Sequence, residues 1–327
     1  MDLEFEKEIV EVERRIAELN RLNADPKANF DAEIAELTKK LEALRRSVYA
    51  GLSPWQTVQI ARHKDRPLLQ DYIAGMFREF IELHGDRCYA DDRGIIGGFA
   101  RLDKRRVMLI GHQKGRTVEE NIKANFGMAN PDGYRKALRL MKLAEKYGLP
   151  VVTLIDTPGA YPGMEAEARG QAEAIARNLT EMSALEVPVV AVITGEGGSG
   201  GAIGIGVGDA VLMLSNAIYS VISPEGCASI LWRDGSQAPR AAEALKLTAP
   251  SLLELGIIDE IVPEPPGGAH RDHKAVMAAL RDALLRHLRA LASLSPRKLV
   301  ERRYEKYTRM GRRDARAERR ARRHEKR

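Results

Sequence analysis

The sequence has few cysteines, few aromatic side chains and no long apolar run. Two isolated cysteines in 327 residues, Cys88 and Cys227, give neither a disulfide framework nor a zinc site. They read as buried or bystander thiols, and no metal is expected in this chain. With aromatics at 5%, a core has to be packed from aliphatic side chains. No run approaches ~18 apolar residues, so no transmembrane helix is indicated. The opening MDLEFEKEIV is acidic and lacks a signal-peptide pattern. The expectation is a soluble, cytoplasmic protein of one large or two compact units. No G-x-x-x-x-G-K-[ST] occurs, which argues against a P-loop.

The net charge of +6 conceals an asymmetry. Residues 297–327 carry 15 Lys+Arg against 5 Asp+Glu, so the remaining chain is mildly acidic, at net −4. A stretch this basic and this poor in apolar residues is expected to be a flexible tail or a frayed helix. It can touch polyanions weakly through phosphates. Its only aromatics are Tyr304 and Tyr307, so no specific nucleic-acid recognition is inferred.

Three regions are expected: a helical hairpin arm over 1–47, a central domain over 48–294, and the basic tail over 295–327. In the arm, Ile9, Val12, Ile16 and Leu19, then Ile34, Leu37, Leu41 and Leu44, step by three and four. Pro26, within Asn23–Asn29, breaks the two helices. The arm packs on its own body or docks on a partner. Ser53-Pro54 starts a further helix. Residues 68–83 predict another, with Ile73, Phe77, Phe80 and Ile81 on one face, Gly85 as its stop, and His84 and Asp86 as caps. Ile95–Leu102 and Val107–His112 predict a hairpin around Asp103–Arg106, with His112 at a strand end as a structural histidine or a general base. Gln113–Lys123 is polar. It reads as a solvated loop or, through Lys114, Arg116 and Lys123, as a cationic rim for phosphates. A helix from Asn130-Pro131 to Tyr147 precedes strand 151–156, loop 157–163, helix 164–183 and strand 187–194, one right-handed βαβ crossover. Short strands at 210–214, 218–222 and 257–262 follow, with helices at 224–232, within 239–255 and at 274–294.

Glycine is what the sequence has in abundance, and it is concentrated. Gly195–Gly206 reads GEGGSGGAIGIG and Thr157–Gly163 reads TPGAYPG; each follows an apolar, β-branched run. Glycine lets the backbone take positive φ and lets a ligand approach closely. Unpaired amide N–H groups at such a turn stabilise an anion, either a phosphate or an oxyanion developing on a carbonyl. Several readings compete. Gly195, Gly197 and Gly200 spell G-x-G-x-x-G, but no acid follows at the dinucleotide spacing, where Ser215–Ser220 reads SNAIYS. Gly197, Ser199 and Gly201 spell G-x-S-x-G, and the histidines downstream, His270 and His273, lie in a polar, proline-rich loop. A turn used only for close packing is a further reading, and an oxyanion hole built from backbone amides is another.

DTPGAYPG and GEGGSGGAIGIGVGD, in this order, resemble the carboxyltransferase α subunit of bacterial acetyl-CoA carboxylase. Phe99–Gly115, Asn125–Lys142, Glu167–Ala176 and Ser220–Trp232 resemble the same family in the same order, covering the chain up to about Leu294. The resemblance favours the oxyanion reading and implies a crotonase-like α/β fold, a ββα spiral. It implies carboxyl transfer from carboxybiotin on a carrier protein to acetyl-CoA, giving malonyl-CoA for fatty acid synthesis. The implied partners are a zinc-ribbon-bearing β subunit in an α2β2 arrangement, the biotin carboxyl carrier protein and biotin carboxylase. Mapped by motif, Gly200 and Gly201 are the first-choice amides of a backbone oxyanion hole, with Gly159 and Ala160 second. Gly197, Gly198, Ser199, Tyr161, Pro162 and Gly163 shape the biotin-side loops. Lys114, Arg116 and Lys123 are the candidate contacts for the phosphates of coenzyme A. A stand-alone acyl-CoA thioester hydrolase or crotonase-type enzyme, and a non-catalytic assembly subunit, are the alternative functions.

Overall fold

The structure is a computed structural model that describes residues 3–23 and 29–311. It opens on two paired helices, α1 (Lys7–Leu22) and α2 (Asp31–Ala50). The break expected at Pro26 lies outside the described residues. The next helix, α3 (Pro54–Ala61), starts where the sequence predicts: Ser53 and Gln56 form a reciprocal capping box with Pro54 in the first turn. Then the prediction fails. The helix expected over 68–83 stops at Met76, giving α4 (Leu69–Met76), and the chain becomes strand β1 (Phe77–Glu82). Phe-Arg-Glu-Phe-Ile-Glu has the aromatic and β-branched content that a strand edge accepts. β1 pairs antiparallel with β2 (Ile95–Leu102), with a register shift between Arg78 and Ile81. Gly98 permits the close crossing, since a Cβ there would lie 2.0 Å from the Ile81 carbonyl oxygen. Gly85 ends no helix, and Asp86 caps a turn by accepting from the N–H groups of Cys88, Tyr89 and Ala90.

The expected hairpin forms, as β2 pairs with β3 (Arg105–His112). A short helix, α5 (Val118–Lys123), and α6 (Pro131–Lys146) lead into β4 (Val151–Thr157). α7 (Met164–Ala168) and α8 (Gln171–Ala184), separated at Gly170 (φ +82°), replace the single helix predicted over 164–183. β5 (Val189–Gly198), α9 (Ser199–Ile203), β6 (Ala210–Leu214), β7 (Ile218–Ser220) and α10 (Pro224–Trp232) follow. The chain closes with α11 (Ala238–Leu245), α12 (Ala249–Glu254), β8 (Glu260–Val262), α13 (His273–Leu291) and α14 (Pro296–Arg309).

The sheet runs β1-β2-β3-β4-β5-β6-β8, antiparallel over its first three strands and parallel from β3 onward. β5 is the pivot. Its first half pairs with β6, and its last residues, Glu196–Gly198, pair instead with β7. This change of partner turns the sheet at the glycine-rich end. The core around it is aliphatic, as the scarcity of aromatics requires; Val151, Val152, Ile155, Val189, Val190, Val192 and Ile193 are fully buried. No helix among the described residues is long and apolar enough to cross a membrane.

The flexible tail expected from residue 295 is, over 296–309, a helix docked on the body. Arg303 carries it in. Its side chain is 0% exposed and donates to the carbonyls of Met182, Leu185 and Val187, at 2.7, 2.8 and 3.1 Å, and to both Asp209 oxygens. One arginine thus gathers three carbonyls around and beyond the end of α8. Lys306 is likewise turned inward, onto Asp259. Residues 312–327, with much of the basic run, lie outside the described residues.

Candidate active site

The two glycine-rich loops leave adjacent parallel strands, β4 and β5, at their carboxyl ends, the usual position of ligands in such sheets. They meet backbone to backbone. A Cβ on Gly201 would lie 2.4 Å from the Gly159 carbonyl carbon and 2.7 Å from the Ala160 nitrogen; one on Gly198 would lie 2.2 Å from the Pro158 oxygen. These two glycines are therefore needed for close approach. Ser199, between them, has φ +51°, a left-handed conformation that a non-glycine residue adopts at a cost.

The amides divide into free and occupied ones. The Gly159 N–H donates to Thr157 Oγ1 at 3.1 Å, and Thr157 Oγ1 donates in turn to the Gly159 carbonyl at 2.7 Å. Gly159 is thereby removed from the candidate donors, leaving Ala160 in that loop. The Tyr161 N–H donates to the Ala129 carbonyl, and Gln171 Nε2 holds both the Ala129 and Tyr161 carbonyls at 2.9 Å. The Tyr161 ring packs against Gly163, and Pro162 is exposed. The Gly200 and Gly201 N–H groups stand in the first turn of α9, where no intrahelical acceptor exists. Among the described residues neither these two nor the Ala160 N–H has a partner. Three unpaired amides are therefore gathered on two loops that touch.

Neither alternative glycine motif has the geometry it needs. Gly195 and Gly197 lie inside β5 rather than in a turn, which removes the dinucleotide fingerprint. His270 stacks on His63 at 4.1 Å between ring centroids, and His273 Nε2 bonds the Asp65 carbonyl. No histidine bonds Ser199 among the described residues. His112 is nearer, buried at 1% exposure against the Gly201 backbone. Burial, and then Lys114, hold it down to about 3, so it is neutral. It is part of the floor beneath the turn and is closed to solvent.

Of the three cations expected at coenzyme A phosphates, all line one cleft of about 590 Å3, but Lys114 turns inward. Its Nζ bonds Asp156 Oδ1 at 2.7 Å and Glu196 Oε2 at 3.1 Å. Arg116 is partly exposed and pairs with Asp71, and Lys123 is exposed. Sequence reasoning missed Asp156, Glu196 and Arg62, which with Lys114 form the charged layer under the loops. The signal was present, because both acids sit at the ends of otherwise apolar strands. Away from this site, Glu6, His63 and His270 bring three metal-ligating atoms within 4.8 Å. Glu6 Oε1 there already accepts from Tyr49 at 2.7 Å and Arg271 at 3.1 Å, so a guanidinium supplies the cation.

Solved structures with this architecture include transcarboxylase 12S, with methylmalonyl-coenzyme A and methylmalonic acid bound (TM-score 0.58, 20% identity, 72% of this chain). This chain spans 44% of that one. The β subunit of Pseudomonas aeruginosa geranyl-CoA carboxylase is also similar (TM-score 0.54, 17% identity, 75% of this chain and 46% of that one). The fold is the crotonase-like fold of carboxyltransferases. More specifically, the chain belongs to the family described as acetyl co-enzyme A carboxylase carboxyltransferase-like, which matches residues 2–311, and it is a carboxyltransferase α chain. The acetyl-coenzyme A carboxylase carboxyl transferase subunit alpha of Geobacter metallireducens is 58% identical over 95% of this chain and 97% of its own length. That of Thermus thermophilus is 54% identical over 95% and 98%.

Proposed function

We propose that this chain acts in the cytoplasm as the α half of a carboxyltransferase that moves a carboxyl group from carboxybiotin to acetyl-CoA, forming malonyl-CoA. The observation that carries the reading is the meeting of two strand-end loops with unpaired amides at Gly200, Gly201 and Ala160. A developing oxyanion is the partner such amides lack, and each donor contributes about 3–4 kcal/mol to a transition state. Carboxybiotin supplies the carboxyl group as CO2 and, once freed of it, a nitrogen base for the acetyl methyl proton. The chain's own part is to hold the ureido oxygen at Gly200 and Gly201, with Ala160 beside them, and to do so without a nucleophile or an acid–base side chain. The second hole, for the acetyl thioester, belongs to a β subunit in an α2β2 assembly. The biotinylated carrier protein delivers the carboxyl group after a separate biotin carboxylase has loaded it. Arg116 and Lys123, on the rim of the cleft, are the proposed contacts for coenzyme A phosphates.

The test is product stoichiometry in the reverse direction. With its β subunit, malonyl-CoA and a soluble biotin derivative, the chain should yield acetyl-CoA and carboxylated biotin in equal amounts. Malonate and free coenzyme A as the products would overturn the reading.

A further inference from the structure

Each glycine loop begins just after a carboxylate, Asp156 at the end of β4 and Glu196 near the end of β5. Lys114, from the segment after β3, puts its ammonium between them, at 2.7 and 3.1 Å. The Glu196 N–H donates to the same Asp156 oxygen at 2.9 Å. Two glycines make room for this arrangement. A Cβ on Gly195 would lie 2.5 Å from Asp156 Oδ1, and one on Gly127 (φ +77°) would lie 2.9 Å from Lys114 Cγ. Arg62, at the end of α3, closes the outer side, with Nε 2.6 Å from Glu196 Oε1 and Nη1 2.6 Å from Glu225 Oε1 in α10. The three inner side chains are 10–17% exposed. Burial pushes the Lys114 ammonium down, but Asp156 and Glu196 outweigh it and hold it above its ordinary value, so it stays charged.

We propose that Lys114 is a positioning residue for carboxyl transfer: by bridging Asp156 and Glu196 it sets the spacing between the Ala160 amide and the Gly200 and Gly201 amides. The inference rests on the function proposed above and reassigns a lysine expected at a coenzyme A phosphate. The argument is geometric. The ion pairs join the two strands four or five residues before the amides, and the loops beyond are tied mainly through backbone contact. Removing the cation leaves two buried carboxylates facing each other, and their separation pulls the loops apart. A misplacement of about 1 Å costs on the order of 10²-fold in rate.

The experiment compares the wild-type α chain with Lys114→Met and with Lys114→Met/Asp156→Asn, which removes the uncompensated charge, since Glu196 keeps Arg62. Each is assembled with the β subunit and assayed for carboxyl exchange to soluble biotin from malonyl-CoA and from malonyl-pantetheine, which lacks the nucleotide phosphates. The expected result is a drop in kcat on the order of 10²-fold for Lys114→Met with both thioesters, with KM unchanged and the complex intact. A loss confined to KM for malonyl-CoA would overturn the proposal and restore the phosphate contact. Unchanged kcat would also overturn it. Failure of both variants to fold or assemble would overturn it in favour of a purely structural lysine. An inactive wild-type pair would instead refute the proposed function itself, and the inference with it.

Discussion

A methyl group added at residue 201 would land 2.4–2.7 Å from the Gly159–Ala160 peptide. That distance changes what a substitution there tests. From sequence alone, a larger side chain at Gly201 is expected to block the substrate and leave the protein otherwise intact. In the structure it strikes the neighbouring loop first. Gly201→Ala should displace residues 159–160, lower the thermal midpoint and cut kcat on the order of 10²-fold; an unshifted midpoint with normal kcat would refute the close approach. Ser199 offers the cleaner test. At φ +51° it pays for a conformation that glycine adopts freely. Ser199→Gly should therefore retain transfer activity and lose no stability, whereas a serine nucleophile would lose nearly all activity. At this scale the glycines were legible, because a backbone-only site leaves its mark as residues without side chains. Lys114 was not legible as a buried group. It sits in a polar stretch, and the carboxylates that claim it lie 42 and 82 residues away.

Among the elements, alternation and capping identified nearly everything around the site: the β2–β3 hairpin, α6, β4, β5 and α10. The misread segments depend on tertiary partners. Phe77–Glu82 matches a helix by periodicity and becomes a strand because Gly98 lets β2 receive it. α14 has little apolar surface and docks mainly through polar contacts, with Arg303 at their centre and Lys306, Tyr307 and buried Leu299 beside it. Arg303→Met should destabilise the chain by about 3–5 kcal/mol in urea unfolding, since it strands the buried Asp209 carboxylate. A loss within about 0.5 kcal/mol would place α14 among ordinary surface helices.

The arm carries a pH dependence of definite sign. Burial pushes the Glu6 carboxyl up, but His270, Tyr49 and Arg271 outweigh it and hold it at about 2, against 4.5. Burial, then the neighbouring His270, hold His63 at about 4, against 6.5 and against the opposing pull of Asp65 and Glu6. In both cases the unfolded chain binds the proton first as pH falls. The stabilisation is present at pH 7 and is lost from 6.5 down to 4 for His63, and from 4.5 down to 2 for Glu6. Hydrogen exchange, corrected for intrinsic rates, should show α1 and α2 losing protection between pH 7 and 4 while β4 and β5 keep theirs. Arm protection that does not change with pH would contradict this clamp.

At the scale of the whole molecule, the described residues gather three unpaired amides on two loops that touch. Its ordered motifs made the family legible in the sequence. What they could not convey is that two loops far apart in sequence meet backbone to backbone, because that contact is made only in the folded chain. The most direct measurement is carboxyl exchange between malonyl-CoA and a soluble biotin derivative, run with the α chain alone, the β subunit alone and the two together. The account predicts exchange only in the pair. Biotin-independent thioester hydrolysis by the α chain alone would contradict it.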